Sequence, residues 1–172
     1  MRADDERGFE DFVSDEQPAL LRLAVLLTGD RGHAEDLVQT ALLTTYRHWP
    51  RISAAGRPTA YVRRVLVTSH IGWRRRLMTT EQVVDTLPDR ADPAAGAPDP
   101  DEALSAALRA LPPRMRAAVV LRFYADLTER QAAEVMGCSA SAVNTQTTRG
   151  LARLRAVLAT PASPSVPAEE LS

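Results

Sequence analysis

The chain has 172 residues, of which 45% are hydrophobic and 25% charged, and its net charge at pH 7 is −1. This length fits one domain or two small ones, and the apolar content is sufficient for packed cores. No apolar run is long enough to span a membrane, and the acidic N-terminal segment lacks the apolar stretch of a secretory signal. The only cysteine, Cys138, excludes an internal disulfide. We therefore expect a cytoplasmic protein without membrane insertion.

Charge is strongly segregated along the chain. Residues 1–16 and 81–102 each carry seven acids, whereas residues 57–77 carry six arginines and no acid. Residues 109–155 carry eight arginines against three acids, and lysine is absent throughout. Two basic blocks separated by an acidic one favour the binding of a polyanion by two lobes.

The first half of the chain predicts two helical segments. Residues 8–28 read as two runs, because Ser14 and Gln17 have capping-box spacing and Pro18 suits a first turn. The next helix covers 31–50 and stops at Pro50. Its apolar face is Ala34, Leu37, Val38, Ala41, Leu42, Tyr46 and Trp49. The opposite face is Asp36, Gln39, Thr40, Leu43 and Arg47, a pattern that is also typical of a merely solvated surface.

A basic helix follows a short predicted loop at 51–57. Pro58 suits its first turn, and the helix should run to about residue 77. Five arginines alternate with the rings of Tyr61, His70 and Trp73, a combination that suits stacking on unpaired nucleic acid. Alternatively, Tyr61 and Trp73 are core residues and the arginines only solubilise the helix. The arginines are Arg63, Arg64, Arg74, Arg75 and Arg76.

The segment 78–100 reads as an extended acidic linker, with four prolines in 80–100. Fully stretched it would reach roughly 80 Å, about two turns of B-DNA. Two further helices are predicted on either side of Pro112 and Pro113, and the tail from Thr160 should be disordered.

Residues 127–158 predict two short helices joined by a tight turn. Thr128 and Gln131 have capping-box spacing, Gly137 suits a helix end, and Ser139 can cap the second helix. Asn, Gln, Thr and Arg on an exposed helix face suit base edges and phosphates in a major groove. An ordinary helical hairpin with a polar face is the alternative. The candidate contacts are Ser141, Asn144, Thr145, Gln146, Thr148 and Arg149.

Features of an enzyme are not evident in the sequence. His33, His48 and His70 stand on separate segments, no metal-ligand spacing occurs, and there is no glycine-rich phosphate loop. We therefore predict no enzymatic activity, no metal and no cofactor.

Three blocks together resemble one known family. They are AEDLVQTAL at 34–42, AYVRRVLVTSHIGWRRR at 60–76, and LPPRMRAAVVLRFYADLTERQAAEVMGCSASAVNTQTTRGLARLR at 111–155. In this order, around an acidic segment, they resemble an extracytoplasmic-function (group IV) sigma factor of bacterial RNA polymerase, of the actinobacterial type. The resemblance implies an all-α protein of two small helical domains joined by an acidic flexible linker. It places a sigma-2 domain at 9–77, the linker at 78–100, a helix-turn-helix sigma-4 domain at 101–158, and a tail at 159–172.

The resemblance also implies partners and sites. In the family, the helix with the DLVQ motif docks on the clamp coiled coil of the large subunit of core RNA polymerase. The implied polymerase contacts are Asp36, Gln39, Thr40, Leu43 and Arg47. The basic helix would capture flipped bases of the promoter minus-10 element, through Arg63, Arg64, Thr68, Trp73, Arg74, Arg75 and Arg76. The helix-turn-helix would read the minus-35 duplex, through Arg130, Ser141, Asn144, Thr145, Gln146, Thr148, Arg149 and Arg153.

The sequence departs from the family pattern at three of these positions. Thr68 stands where many relatives have an asparagine that reads a flipped base, so base preference there is open. Asn144 and Gln146 occupy positions that are often basic, and fewer cations should weaken nonspecific DNA affinity.

Regulation and one rival function complete the predictions. An anti-sigma factor is the usual control in the family. The acidic linker would either enter the polymerase's template or RNA channel or fold against Arg74–Arg76 and suppress DNA binding. The rival function is a helix-turn-helix regulator that binds an operator independently of core polymerase.

Overall fold

The computed structural model describes residues 2–79 and 100–159, and within them it is helical without any strand. This confirms the all-α prediction. Most of the acidic linker predicted at 78–100 and of the tail predicted at 159–172 lies outside the described residues, but the first two and the last residue of that linker belong to α4 and α5, and Ala159 belongs to α8. A π-helical segment, Val120–Tyr124, continues the sixth helix. The α-helices are α1 Ala3–Thr28, α2 Arg31–Arg47, α3 Trp49–Ala54, α4 Pro58–Thr79, α5 Pro100–Arg109, α6 Pro113–Val119, α7 Glu129–Met136 and α8 Ala140–Ala159.

Helix α1 is continuous, so the predicted break with a capping box at Ser14 and Gln17 is wrong. Pro18 lies inside the helix with its side chain exposed, where the hydrogen bond it cannot make would face solvent. Packing on both sides of Pro18 keeps the helix continuous through it. Phe12 on the N-terminal side contacts Trp49, and Leu20 on the C-terminal side is buried in the core.

Local signals set the ends of the next helices. Gly29 adopts a left-handed φ of 72° after α1, and Asp30 caps α2 by accepting from the His33 N–H over 2.8 Å. Pro50 does not stop α2, which already ends at Arg47. It lies instead in the first turn of the short α3, so the predicted 51–57 loop is helical as far as Ala54.

Helices α1–α4 form what we call the N-terminal unit. Its core is aliphatic, and a cluster of four aromatic rings closes one end. The ring centroids are 5.0–5.2 Å apart in the pairs Phe9–Tyr46, Phe9–Trp49 and Phe12–Trp49. The core side chains are Leu20, Leu23, Leu27, Leu37, Val38, Val62, Leu66 and Val67.

Helices α5–α8 and the π-helical segment form the C-terminal unit. At Gly150, α8 packs closely against α6, because an added Cβ would lie 2.6 Å from Val119 Cγ2. The π-helical turn is closed by the Ala125 N–H, which donates to the Val120 carbonyl over 3.1 Å. Asp126 then takes a left-handed φ of 53° before α7. This wide turn leaves Phe123 62% exposed and Tyr124 44% exposed.

The two units share one continuous core. Arg116 of α6 is 4% exposed, and its guanidinium donates to the Leu27 carbonyl at the end of α1 over 2.7 Å. Arg22 of α1 donates to the Tyr124 hydroxyl over 3.0 Å. Helix α7 lies against α4, which is the arginine-rich helix.

Candidate nucleic-acid interface

The predicted polymerase contacts form one exposed stripe on α2. At about 100° per residue, positions 36, 39, 40, 43 and 47 fall within one third of the helix circumference. The other side of α2 packs against α1 and α4. All five side chains are exposed, and Leu43 is 52% exposed. The five are Asp36, Gln39, Thr40, Leu43 and Arg47.

The predicted minus-10 residues all lie on α4, with different degrees of exposure. Arg64, Thr68, Arg75 and Arg76 are exposed, whereas Arg63, Trp73 and Arg74 are partly buried. The Thr68 hydroxyl donates to the Arg64 carbonyl over 2.7 Å and to the Val65 carbonyl at 3.2 Å. Its single proton is therefore engaged within the helix, and the hydroxyl offers a base only its acceptor lone pairs.

Of the three rings on α4, His70 is buried, and Tyr61 and Trp73 are partly buried. His70 is 2% exposed, and neither ring nitrogen has a hydrogen-bond partner among the described residues. The Trp73 ring contacts the ring of His33 of α2, with the centroids 4.0 Å apart and the planes tilted by 34°. The idea that His70 stacks on bases is wrong, since α2 and α6 cover it. Burial, followed by the charges of Arg116, Arg74 and His33, lowers its pKa to about 4.

The helix-turn-helix is built by the caps that the sequence predicts. The Thr128 hydroxyl accepts from the Gln131 N–H over 3.1 Å, and the Gln131 side chain accepts from the Thr128 N–H over 2.9 Å. Gly137 ends α7 with a φ of 68°. The Ser139 hydroxyl accepts from the Ala142 N–H over 3.1 Å and so caps α8. These predictions are confirmed.

The predicted minus-35 residues on α8 differ in their exposure to solvent. Val143, Thr147, Gly150 and Leu154 form its buried side. Gln146 is partly buried and lines a cleft with Ile71, Arg74 and Arg114. The other candidates on α8 are exposed, and so is Arg130 on α7. The exposed candidates of α8 are Ser141, Asn144, Thr145, Thr148, Arg149 and Arg153.

Asn144 is held by two side-chain hydrogen bonds. Its Nδ2 donates to Glu129 Oε1 over 3.0 Å, which links α8 to the first residue of α7. Its Oδ1 accepts from the Thr148 hydroxyl over 3.3 Å, one turn further along α8. The two bonds together orient the amide at the exposed surface.

Two clefts lie between the two units, where α4 and the loop before it face α7. One, of about 390 Å³, is lined by Arg51, Arg57, Arg64 and Glu134, together with apolar residues. A second, of about 290 Å³, is lined by Arg57, Arg63, Gln131 and Glu134. Four of the seven predicted minus-10 residues, Arg63, Arg64, Arg74 and Arg75, therefore line clefts beside the C-terminal unit, and the acidic Glu134 lines the two clefts that hold Arg63 and Arg64.

Sequence reasoning missed two residues of these surfaces, Glu129 and Glu134, and also the buried Arg116. Glu129 and Glu134 were overlooked because their contacts, with Asn144 of α8 and with the clefts beside α4, depend on how the helices pack against one another. Arg116 carries one signal that could have revealed it, because it interrupts an apolar run from Met115 to Leu121. A single arginine within a core segment must find buried acceptors.

Within the described residues, no group of three or more His, Cys, Asp or Glu side chains is placed to hold a metal ion. None of the described helices is both long and apolar enough to cross a membrane.

Comparison with known proteins places both units. Residues 12–78 match the model of sigma-70 region 2, and residues 101–154 match the model of sigma-70 region 4. The RNA polymerase sigma-E factor of Streptomyces avermitilis is 37% identical over 148 residues, which cover 86% of this chain and 83% of that protein. The ECF RNA polymerase sigma factor SigG of Mycobacterium tuberculosis is 28% identical, with 90% of this chain and 50% of that protein covered.

A solved structure shares the fold. It is the sigma factor RpoE from Bartonella quintana in complex with the anti-sigma factor NepR, at a TM-score of 0.73 and 22% identity, with 90% of this chain and 99% of that chain covered. At this identity the likeness shows the fold alone. The ordered pair of regions and the close relative over most of its length show that this chain belongs to the sigma-70 family of RNA polymerase sigma factors, in the extracytoplasmic-function group.

Proposed function

We propose that this chain binds core RNA polymerase in the cytoplasm and directs initiation at specific promoters, by reading a minus-35 duplex and capturing a melted minus-10 element. The observation that carries the proposal is that an arginine-rich helix and a helix-turn-helix lie on separate units of one chain. The arginine-rich α4 lies within the matched region 2, and the helix-turn-helix of α7 and α8 lies within the matched region 4.

The exposed stripe of α2 is the proposed polymerase contact. A single exposed leucine is common on protein surfaces. Leu43, however, lies at the centre of a polar stripe, on a helix whose other side is buried. An apolar centre with a polar rim is the usual composition of a protein interface. The proposed partner is the clamp coiled coil of the large polymerase subunit.

Helix α4 is the proposed minus-10 surface. Its arginines supply bidentate phosphate contacts along an unpaired strand. Thr68 would accept a hydrogen bond from a flipped base, since its own proton is engaged by the Arg64 carbonyl. This favours a base with an exocyclic amino group over one that presents only acceptors at that position.

The C-terminal unit is the proposed minus-35 reader. Ser141, Thr145 and Thr148 are short hydrogen-bonding side chains on the exposed side of α8 and suit base edges. Arg130, Arg149 and Arg153 are exposed cations that suit phosphates. Arg149→Ala should therefore weaken binding at every promoter, whereas Gln146→Ala should change promoter choice. Equal losses at all promoters for both variants would contradict this division.

Promoter binding requires the two units to separate. Arg63, Arg64 and Arg74 line clefts that the C-terminal unit closes, and Gln146 lies in one of them. A single strand bound to Arg63 and Arg74 would have to displace the C-terminal unit from these partly buried side chains. We propose that core polymerase binds the separated form more tightly and thereby shifts the population toward it.

An anti-sigma factor is the further partner that we propose. RpoE and CnrH are solved in complex with NepR and with the cytosolic domain of CnrY. On this chain, an apolar groove of about 420 Å³ runs between α1, α5, the π-helical segment and α8. Its rim includes the exposed Leu104, Phe123 and Tyr124.

Run-off transcription with purified core polymerase tests the proposed function. The full chain and actinobacterial core enzyme are incubated with a promoter library, and the transcripts are sequenced. Discrete start sites that depend on the chain are expected. An operator-binding regulator would instead bind duplex DNA by itself and start no transcription. The Streptomyces sigma-E relative with the same core enzyme serves as the positive control.

A further inference from the structure

The link between Glu129 and Asn144 determines which end of the Asn144 amide can donate. A carboxylate is only an acceptor, so it must face the Nδ2 of the amide, 3.0 Å away. The Thr148 hydroxyl donates to Oδ1 on the other side. The hydroxyl could tolerate a reversed amide, because it can also accept, but the carboxylate could not. Glu129 is therefore the residue that decides the orientation.

The held amide keeps one hydrogen-bond donor and one acceptor for a ligand. An asparagine amide has two N–H donors and two oxygen lone pairs, and the two internal bonds use one of each. In the major groove, adenine presents the acceptor N7 beside the donor N6, whereas guanine presents two acceptors. Cytosine offers a donor and thymine an acceptor with a methyl group, so adenine alone complements both remaining groups.

The position of Glu129 is unusual for a DNA-reading surface. A carboxylate near phosphates opposes binding, because affinity rises with the number of phosphates neutralised. This one is partly buried, and its backbone is fixed by the capping box of Thr128 and Gln131 at the start of α7. An acid in the first turn of α7 is favoured by the helix dipole, and the bond to Asn144 gives this one a second contact, across to α8.

From these contacts we infer that Asn144 reads an adenine in the minus-35 element, and that Glu129 is the positioning residue that orients its amide. The inference rests on the proposed function, because it takes α8 to be the minus-35 reader. It assigns a base and a supporting side chain, which the family resemblance does not.

The first experiment measures base preference position by position. Holoenzyme formed from the full chain and actinobacterial core polymerase transcribes a library with randomised minus-35 and minus-10 positions, and barcoded transcripts are counted. One minus-35 position is expected to favour adenine about tenfold, as a bidentate amide contact does. Asn144→Ala should remove the preference at that position and leave the other positions unchanged.

The second experiment separates positioning by Glu129 from a merely structural role. Glu129→Gln retains an acceptor oxygen and should keep most of the adenine preference. Glu129→Lys offers only donors, so it should reverse the amide and abolish the preference. Glu134→Lys makes the same charge change on the same helix and should leave the preference intact. Loss of stability or of total transcription would not by itself change the preference at one position.

A base analogue tests the contact from the DNA side. Placing 7-deazaadenine at the critical position removes the N7 acceptor while the base pair remains. Transcription by the unmodified chain should fall about as much as it does with Asn144→Ala, and the analogue should cost Asn144→Ala nothing further. Two changes that remove the same contact do not add.

The outcomes distinguish this inference from the function on which it rests. If chain-dependent transcription occurs but Asn144→Ala alters no single position, the inference is overturned and the proposed function stands. An unchanged preference in Glu129→Lys overturns the positioning role alone. If the chain starts no transcription while the sigma-E control does, both the proposed function and the inference are overturned.

Discussion

The guanidinium of Arg116 donates to the Leu27 carbonyl over 2.7 Å and so ties α6 to the C-terminal end of α1. The same group also donates to the carbonyls of Arg109 and Leu111. Burial, with smaller contributions from Arg74 and Arg109, lowers the Arg116 pKa to about 10, so the group stays charged at neutral pH. Within the described residues, the Nη atoms of this buried cation donate only to main-chain carbonyls, one of which belongs to the other unit, and its Nε has no partner.

Replacing Arg116 should therefore destabilise the protein and loosen the contact between units. Arg116→Met leaves three carbonyls without their donor, and we expect the free energy of unfolding to fall by roughly 2–4 kcal/mol. Urea denaturation measures this loss, and small-angle scattering should show a larger radius of gyration. Arg116→Lys should lower the free energy of unfolding by less, because the lysine ammonium can still donate to some of the carbonyls. An unchanged midpoint in Arg116→Met would show that the carbonyls find other partners.

His70 should make stability fall in mild acid. Its folded-state pKa of about 4 lies below the ordinary value of 6.5, because burial and the nearby charges of Arg116, Arg74 and His33 disfavour the imidazolium. Between these two values the unfolded chain binds the proton and the folded chain does not, so the free energy of unfolding decreases as pH falls. The loss is complete below pH 4 and amounts to about 3 kcal/mol at most.

The contribution of His70 is isolated by comparison with His70→Leu, which has a similar volume and no titrating group. Carboxylates titrate in both proteins, so the difference between their stability curves from pH 7 to pH 4 reports the histidine. The variant should lose less stability over that range. Parallel curves would mean that His70 is protonated without cost in the folded protein.

Gly150 should not tolerate a methyl group. Alanine normally favours a helix by about 1 kcal/mol over glycine, but its Cβ here would lie 2.6 Å from Val119 Cγ2 and 3.0 Å from Met115 Cγ. The branched Val119 has little rotamer freedom, so α8 must move away from α6. Gly150→Ala should lower the free energy of unfolding by roughly 1–2 kcal/mol.

Gly72 provides the matched control for Gly150. It also lies within a helix, but an added Cβ would meet nothing within 4 Å. Gly72→Ala should raise the free energy of unfolding by about 0.5–1 kcal/mol. Thermal denaturation of the two variants should thus show shifts of opposite sign. A stabilised Gly150→Ala would show that α6 and α8 are less tightly packed than the geometry indicates.

Sequence reasoning succeeded where the determining interactions are local. Thr128 and Gln131 are three residues apart, and their mutual hydrogen bonds need only the first turn of α7. The same local logic misplaced a boundary at Ser14 and Gln17. There the spacing was equally suitable, but tertiary packing of Phe12 and Leu20 on either side of Pro18 favours one helix.

Contacts between distant segments could not be predicted from the pattern. Arg116 and Leu27 are separated by 89 positions, and their bond depends on how α6 settles against the end of α1. Glu129 and Asn144 are closer in sequence, at 15 positions, yet they meet only because the turn after Gly137 sets the angle between α7 and α8. In both cases the sequence shows that a polar side chain is present, but the partner of that side chain is determined by tertiary geometry.

The α2 stripe offers the most direct test of polymerase binding. Leu43→Glu changes a side chain that is 52% exposed and keeps a strong helix-forming residue, so the fold should be nearly unaffected. If Leu43 enters an apolar site on core polymerase, burying a carboxylate there should weaken binding tenfold or more. Competition for core enzyme against a labelled unmodified chain measures the affinity.

Arg31→Ala is the control on the same helix. Arg31 lies about 140° around α2 from Asp36, outside the stripe, and its 3.2 Å ion pair with Glu35 is exposed to solvent. Such a pair contributes little to stability, so this variant should fold and bind core polymerase as the unmodified chain does. Selective loss in Leu43→Glu would assign the polymerase contact to the stripe. Equal affinity in both variants would instead leave the stripe a solvated helix face, and the polymerase contact would have to lie elsewhere on the N-terminal unit.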